Sequence, residues 1–237
     1  MAISTRREHK VIITGTGRAG TTFLVHLLTE LGLDTGITPK NWRKKFYPNC
    51  NAGLEHNLLD PKTPYIVKNP ALCETLPDAV ASERFVFDHV YIPIRELDTA
   101  AASRVRIGGA NGSVPGGLWG TSDPAHQRAV LAEHFHRLIH VLVTHEIPHT
   151  FILFPRLVAD PAYSFDRLSF VLKGISRHDF DLAFNRIADR SLIHDFSSDA
   201  KVAAASAPAE APVEAPAPRG LSSIFGLLSG LRQKRPV

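Results

Sequence analysis

Residues 11–24 read VIITGTGRAGTTFL. Three apolar residues and a threonine lead into a stretch with glycine at 15, 17 and 20, and apolar residues resume at Phe23 and Leu24. This is the pattern of a buried strand, a tight loop and the first turn of a helix. Glycines at that spacing let a backbone curl and approach a ligand closely. The amides of residues 17–22 then converge at a helix start, where the helix dipole also favours an anion. Aligned on Gly15 and Gly20, the loop matches the nucleotide-hydrolase pattern G-x-x-x-x-G-K-[ST] except that Thr21 replaces the lysine, which removes the cation that reaches the outer phosphates. A positive charge stands three positions earlier, as Arg18. The dinucleotide fingerprint G-x-G-x-x-G is also matched at Gly15, Gly17 and Gly20, but its acidic partner would be Asp34, which follows a Gly-Leu turn and no recognisable strand.

Working outward, apolar β-rich runs at 11–14, 65–67, 85–94 and 150–154 alternate with helical patterns at 21–33, 97–106, 125–145, 164–173 and 177–188. Strands that are nearly continuous in apolar residues, separated by helices, predict an α/β fold: a three-layer α/β/α sandwich around a mostly parallel sheet. Residues 1–198 read as this domain. Residues 108–124, GGANGSVPGGLWGTSDP, carry six glycines and interrupt the pattern as a long loop of the kind that serves as a lid or substrate segment. Its bulky members, Leu118 and Trp119, are expected to fold back on the core or to touch a ligand.

Residues 199–219 alternate alanine and proline, the composition of an extended linker. Residues 220–237, GLSSIFGLLSGLRQKRPV, hold a short apolar stripe followed by basic residues, a pattern that fits docking to a protein partner or an anionic membrane surface, or else a passive tail. The formal net charge of +4 is mild and scattered, which points away from nucleic acid and towards an anionic small molecule. No apolar run reaches the length of a membrane span, and MAISTRREHK lacks the apolar core of a secretory signal. The expected location is cytoplasmic, and peripheral membrane contact through residues 220–237 is one of the options that segment leaves open. Cys50 and Cys73 are the only cysteines and are expected to be ordinary reduced thiols.

Three segments together resemble the sulfotransferases that use 3′-phosphoadenosine-5′-phosphosulfate. GTGRAGTTFL is similar to that family's 5′-phosphosulfate loop. VYIPIRELDTAAASR provides Arg95 at a strand end and Ser103 eight residues on, like the family's 3′-phosphate signature. PYIVKNPAL is similar to a strand-Lys-x-Pro segment found in several members. The resemblance covers roughly the first half of the chain; beyond it, FPRLVADP is also in the style of bacterial members. It implies a P-loop-NTPase-like sheet. It also implies a donor site of Gly17, Arg18, Ala19, Gly20, Thr21, Thr22 and Phe23, with Phe23 near the adenine, Arg95 and Ser103 on the 3′-phosphate, and Lys68 near the transferring group. The C-terminal G-x-x-G-x-x-K element of cytosolic members is absent, and Arg104 or Arg106 is the candidate to replace its phosphate contact. Taken singly, a strand-end arginine, a helix serine and a lysine before Asn-Pro are ordinary surface residues; their joint order gives them weight.

The implied reaction is sulfuryl transfer to a hydroxyl or amine of a glycan, lipid or small metabolite, releasing 3′,5′-adenosine bisphosphate. Arg18 and Lys68 would neutralise charge on the sulfuryl and bridging oxygens, with no metal required. Glu55 in NAGLEHNLL is the first candidate for general base and His56 the second. The neighbouring NWRKKFYPN is basic and aromatic, fit either to line an acceptor pocket or to form an exposed loop. His136 and His140 share a helix face, yet a metal site needs a further convergent ligand, and solvated histidines are the simpler reading. The competing readings are a P-loop kinase or hydrolase, and a catalytically silent nucleotide-binding scaffold. The acceptor and the oligomeric state are not legible in the residues.

Overall fold

The computed structural model describes residues 7–109 and 113–189. In chain order the strands are β1 (Glu8–Ile13), β2 (Phe46–Tyr47), β3 (Ala52–Gly53), β4 (Ile66–Lys68), β5 (Phe85–Ile94) and β6 (His149–Leu153). The helices are α1 (Thr21–Glu30), α2 (Leu72–Ala81), α3 (Leu97–Ile107), α4 (Gln127–Thr144), α5 (Arg156–Ala159), α6 (Pro161–Arg167) and α7 (Arg177–Ile187). The central sheet is all parallel in the order β4-β1-β5-β6, and β2 and β3 form a separate antiparallel hairpin.

Helices cover both faces of the sheet, because successive side chains of a strand point to opposite sides. Val11 and Ile13 join Leu24 and Leu28 of α1, Leu157 of α5 and Phe180 and Phe184 of α7 in one core. Ile12, Val67, Val90 and Ile92 pack on the other side against Leu72 and Leu76 of α2 and Leu138 and Leu142 of α4. The arrangement is compatible with the expected three-layer α/β/α sandwich. Phe180 is fully buried, with its ring 5.1 Å from Phe165 and 5.9 Å from Phe184. Phe180→Ala is expected to cost about 3–5 kcal/mol, measured by urea unfolding; a loss under about 1 kcal/mol would mean that α7 is not part of the cooperative core.

The strand order fixes where a site can lie. From β1 the chain crosses through α1 to β4 on one side, whereas β5 leads on to β6 on the other. Connections that diverge leave a crevice beyond the carboxyl ends of β1 and β5, the place where open α/β sheets bind ligands. Both the glycine loop and Arg95 follow those two ends.

Several elements differ from the sequence expectation. The helix expected over 164–173 is α6, which starts earlier because Asp160 caps it at Tyr163 N and Pro161 occupies its first position; the chain then turns through 168–174. The pattern reading has no helix at α2, whose interior Pro77 is a breaker signal. Leu72, Cys73, Leu76 and Ala79 nonetheless bury one face, and that packing outweighs the proline. The linker at 199–219 and the stripe at 220–237 lie outside the described residues, as do residues 190–198 of the expected domain. No helix among the described residues is long and apolar enough to cross a membrane.

Candidate functional site

The loop after β1 carries three neighbouring residues of positive φ: Gly17 at 68°, Arg18 at 57° and Gly20 at 87°. Gly20, left-handed after an Ala19 that is not of positive φ, is the kind of step that turns successive N–H groups to one side and makes a concavity suited to an anion. Gly20 is the residue preceding α1, and no side chain caps that helix, in contrast to α3, capped by Glu96, and α7, capped by Ser176. The first N–H groups of α1 thus lack a side-chain acceptor at the bottom of the crevice. Ala19 and Thr21 are buried beneath the loop.

Gly17 is needed for space as well as for φ. An added Cβ would lie 2.5 Å from Arg104 Nη2. Arg104 is 5% exposed and donates to Thr16 O at 2.7 Å and to Gly117 O at 2.7 Å. It ties the loop to the glycine-rich segment that includes Gly116 and Gly117. Burial and the charge of Arg18 bring its pKa down to about 10. Gly17→Ala is therefore expected to dislodge Arg104 and abolish anion binding at the loop while the chain still folds; unchanged binding would contradict the assignment of the concavity.

The three segments singled out in the sequence converge. Arg18 Nε donates to Ser103 Oγ at 3.0 Å, and Arg95 Nη1 donates to Arg18 O at 3.3 Å. Arg95 also lies over the Phe154 ring, 5.1 Å from its centroid. Lys68, 1% exposed, reaches from β4 to the start of α1, where Nζ donates to Thr22 Oγ1 at 3.3 Å. An ammonium thus stands beside the loop although the loop sequence has none. Burial holds the Lys68 pKa below its ordinary value, and the paired Glu55 carboxylate pulls it back up.

Both cations near the loop are also tethered to the hairpin and the turn it encloses. Arg18 donates to the Cys50 carbonyl, and Lys68 donates to Gly53 O at 2.7 Å and to the Glu55 carboxylate. Burial lowers the Arg18 pKa. Glu55 lines the cavity, but as the partner of Lys68. His56 instead lies 3.3 Å from Lys45 Nζ and is not among the cavity walls.

A cavity of about 510 Å³ opens over these groups. The loop, Lys68, Glu55 and Arg95 form its polar floor, and Phe23, His26, Trp42 and Phe46 form an aromatic wall. Leu118 is buried, and Trp119 is held between Arg104, 5.0 Å from its centroid, and the stacked His134 ring at 4.2 Å. Both thus fold back on the protein, while also bordering the cavity. Arg106 lines a different cavity with Tyr47 and Cys50.

The remaining candidates sit elsewhere. Asp34 accepts from Tyr65 N at 2.8 Å, at the amino end of β4, whereas the loop lies at the carboxyl end of the sheet, so Asp34 is no ribose ligand for it. His136 and His140 are exposed with ring centroids 6.3 Å apart, and among the described residues no three potential ligands converge on a metal position. Cys50 and Cys73 are buried free thiols. Of the two arginines the sequence offered for a phosphate contact, Arg104 borders this cavity and Arg106 the other; sequence reasoning missed His26 as a member of the site, and the one available signal was the i, i+4 spacing of Thr22 and His26 on α1.

The fold and site define an α/β protein with a glycine-rich, cation-flanked loop at its topological switch point. Compared with family models, curated proteins and solved structures, the chain matches none.

Proposed function

We propose that the protein is a sulfotransferase of P-loop-NTPase-like fold that moves a sulfuryl group from 3′-phosphoadenosine-5′-phosphosulfate to an acceptor hydroxyl. The observation that carries this reading is the meeting of Arg18, Ser103, Arg95 and Lys68, from three separate segments, around one uncapped helix start. In-line transfer of such a group requires positioning and charge stabilisation more than covalent chemistry. The loop amides and the Thr21 and Thr22 hydroxyls hold the 5′-phosphate. Lys68 faces the sulfuryl oxygens, and Arg18 adds positive potential while orienting Ser103. Arg95 and Ser103 take the 3′-phosphate, with Phe23 near the adenine. The residues 17–23 of the loop, Gly17 and Ala19 included, serve as the donor cradle. Glu55 holds Lys68 in place and remains one candidate base.

Labelled sulfate supplied as phosphosulfate, with a panel of glycans, lipids and small alcohols, tests the activity. Sulfated product is expected with at least one acceptor class, and intact donor with every acceptor would favour the silent-scaffold reading. A second reading has one observation in its favour. Lys68 and Glu55 beside Thr22 provide an ammonium and a carboxylate, which a magnesium-dependent phosphoryl transferase also needs. Release of phosphate from ATP-magnesium would decide for that alternative.

A further inference from the structure

We infer that residues 113–120 form a strap held against the donor cavity by a proton-sensitive clasp, in which Glu74 and His134 are positioning residues for Trp119. This rests on the donor reading of that cavity. The strap borders it from Val114 to Trp119. Gly116, Gly117 and Gly120 make the segment costly to order by itself, so its place is set by what fastens it.

The fastenings are buried and specific. Arg104 Nη1 donates to Gly117 O, and Nη2 of the same guanidinium donates to Thr16 O in the anion loop, each at 2.7 Å. Gln127 of α4 is fully buried and pairs with both backbone groups of Trp119, accepting from its N at 2.7 Å and donating to its O at 3.1 Å. Trp119 Nε1 donates to Glu74 Oε1 of α2 at 2.9 Å. Seating of the strap and shape of the loop are thereby joined through one arginine. When Trp119 leaves, Arg104 loses the indole ring and the Gly117 carbonyl, and its hold on Thr16 loosens.

The sensitivity to protons comes from His134. Its ring stacks on that of Trp119, with 4.2 Å between centroids and 17° between planes. Both ring nitrogens are buried without a hydrogen-bond partner, and Nε2 stands 3.6 Å from Glu74 Oε1, the oxygen that also holds the indole N–H. A proton on Nε2 draws the carboxylate towards the imidazole and away from the indole. Gly120 packs close by, since an added Cβ would lie 3.0 Å from Nε2, so the seated strap leaves little room for water around an imidazolium.

The charges acting on the ring are Glu74 of α2, Arg104 of α3, and Glu133 and Arg137 of α4, the last two paired with each other. Burial lowers the His134 pKa most; Glu74 and Glu133 raise it, Arg137 and Arg104 lower it, and the net shift is downward. A seated strap thus takes up the proton less readily than a released one, whose solvated ring titrates near the ordinary 6.5. The clasp is complete above that value and opens as pH falls through it towards the lower pKa of the seated state.

Trp42 and Trp119 are the two tryptophans of the chain, so Trp42→Phe leaves Trp119 emission alone to report on the strap. Acrylamide quenching of that variant is followed from about pH 8 to about pH 5.5, within the range where far-ultraviolet circular dichroism is constant. Quenching is expected to rise at least about threefold as pH falls. The profile becomes flat when His134→Phe is added, because phenylalanine keeps the stack and takes no proton. His134→Gln gives the same flat profile and serves if the phenylalanine variant does not fold. A flat profile with His134 present, or an equal rise without it, would overturn the clasp. With Trp42 intact, calorimetry then compares 3′,5′-adenosine bisphosphate at the two pH values in the native chain and in His134→Phe. The loss of affinity on acidification is expected to be at least about threefold larger in the native chain. Equal losses would overturn the positioning role at the donor site. Absence of bisphosphate binding at both pH values would contradict the donor reading alone, and the quenching result still decides the clasp.

Discussion

Arg95→Ala is expected to weaken binding of 3′,5′-adenosine bisphosphate by about 10–100-fold, the size of one charge-assisted contact. Adenosine 5′-phosphosulfate, which lacks the 3′-phosphate, should bind within about threefold of its native affinity. Arg95 follows the carboxyl end of β5, across the crevice from the anion loop, and touches that loop through Arg18 O at 3.3 Å. A guanidinium presents five donors in a fixed fork, so one side chain can hold the loop carbonyl and a phosphate at once. Equal losses for the two ligands would show that Arg95 shapes the loop without reading the 3′-phosphate. Calorimetry with both nucleotides separates these outcomes.

The second large effect concerns Lys68. Its ammonium is 1% exposed and meets Thr22, Gly53 O and Glu55. A preorganised cation in a site with little water is worth about 10²–10³-fold in rate. Lys68→Met, which preserves an unbranched side chain, is expected to cut turnover of labelled phosphosulfate by that factor. Bisphosphate affinity should change less than about threefold, because the product carries no sulfuryl group. Glu55 is 41% exposed as a side chain, so its carboxylate can turn to water once the ammonium is gone, and the fold should survive. A matching loss of bisphosphate affinity would place Lys68 on the 5′-phosphate instead.

The parts of this site that were legible in the sequence are those with strong local patterning. A continuous apolar run, three glycines and a resumed helix period mark β1, its loop and α1. The run 85–94 marks β5, and with it the positions of Arg95 and Ser103. The ties between segments were not legible. The hairpin strands β2 and β3 are two residues each, too short for any periodicity, yet the hairpin and its turn supply the carbonyls of Cys50 and Gly53 that hold Arg18 and Lys68. Arg104 lies beside Ser103 in sequence, but its role depends on the Thr16 and Gly117 carbonyls, which no spacing rule anticipates. The aromatic wall joins α1 to a helical turn at Trp42–Lys45, and only tertiary packing places those rings together. Pro77 hid α2 for the opposite reason: a strong local signal was overridden by burial of the face around it.

The central claim is that the loop is built for a nucleotide bearing a 3′-phosphate and a 5′-phosphosulfate. Calorimetry comparing 3′,5′-adenosine bisphosphate with ATP-magnesium on the native chain tests it most directly. At least about tenfold tighter binding of the bisphosphate is expected, through the extra charge-assisted contacts to its 3′-phosphate. Tighter binding of ATP-magnesium, or no binding of the bisphosphate, would contradict it.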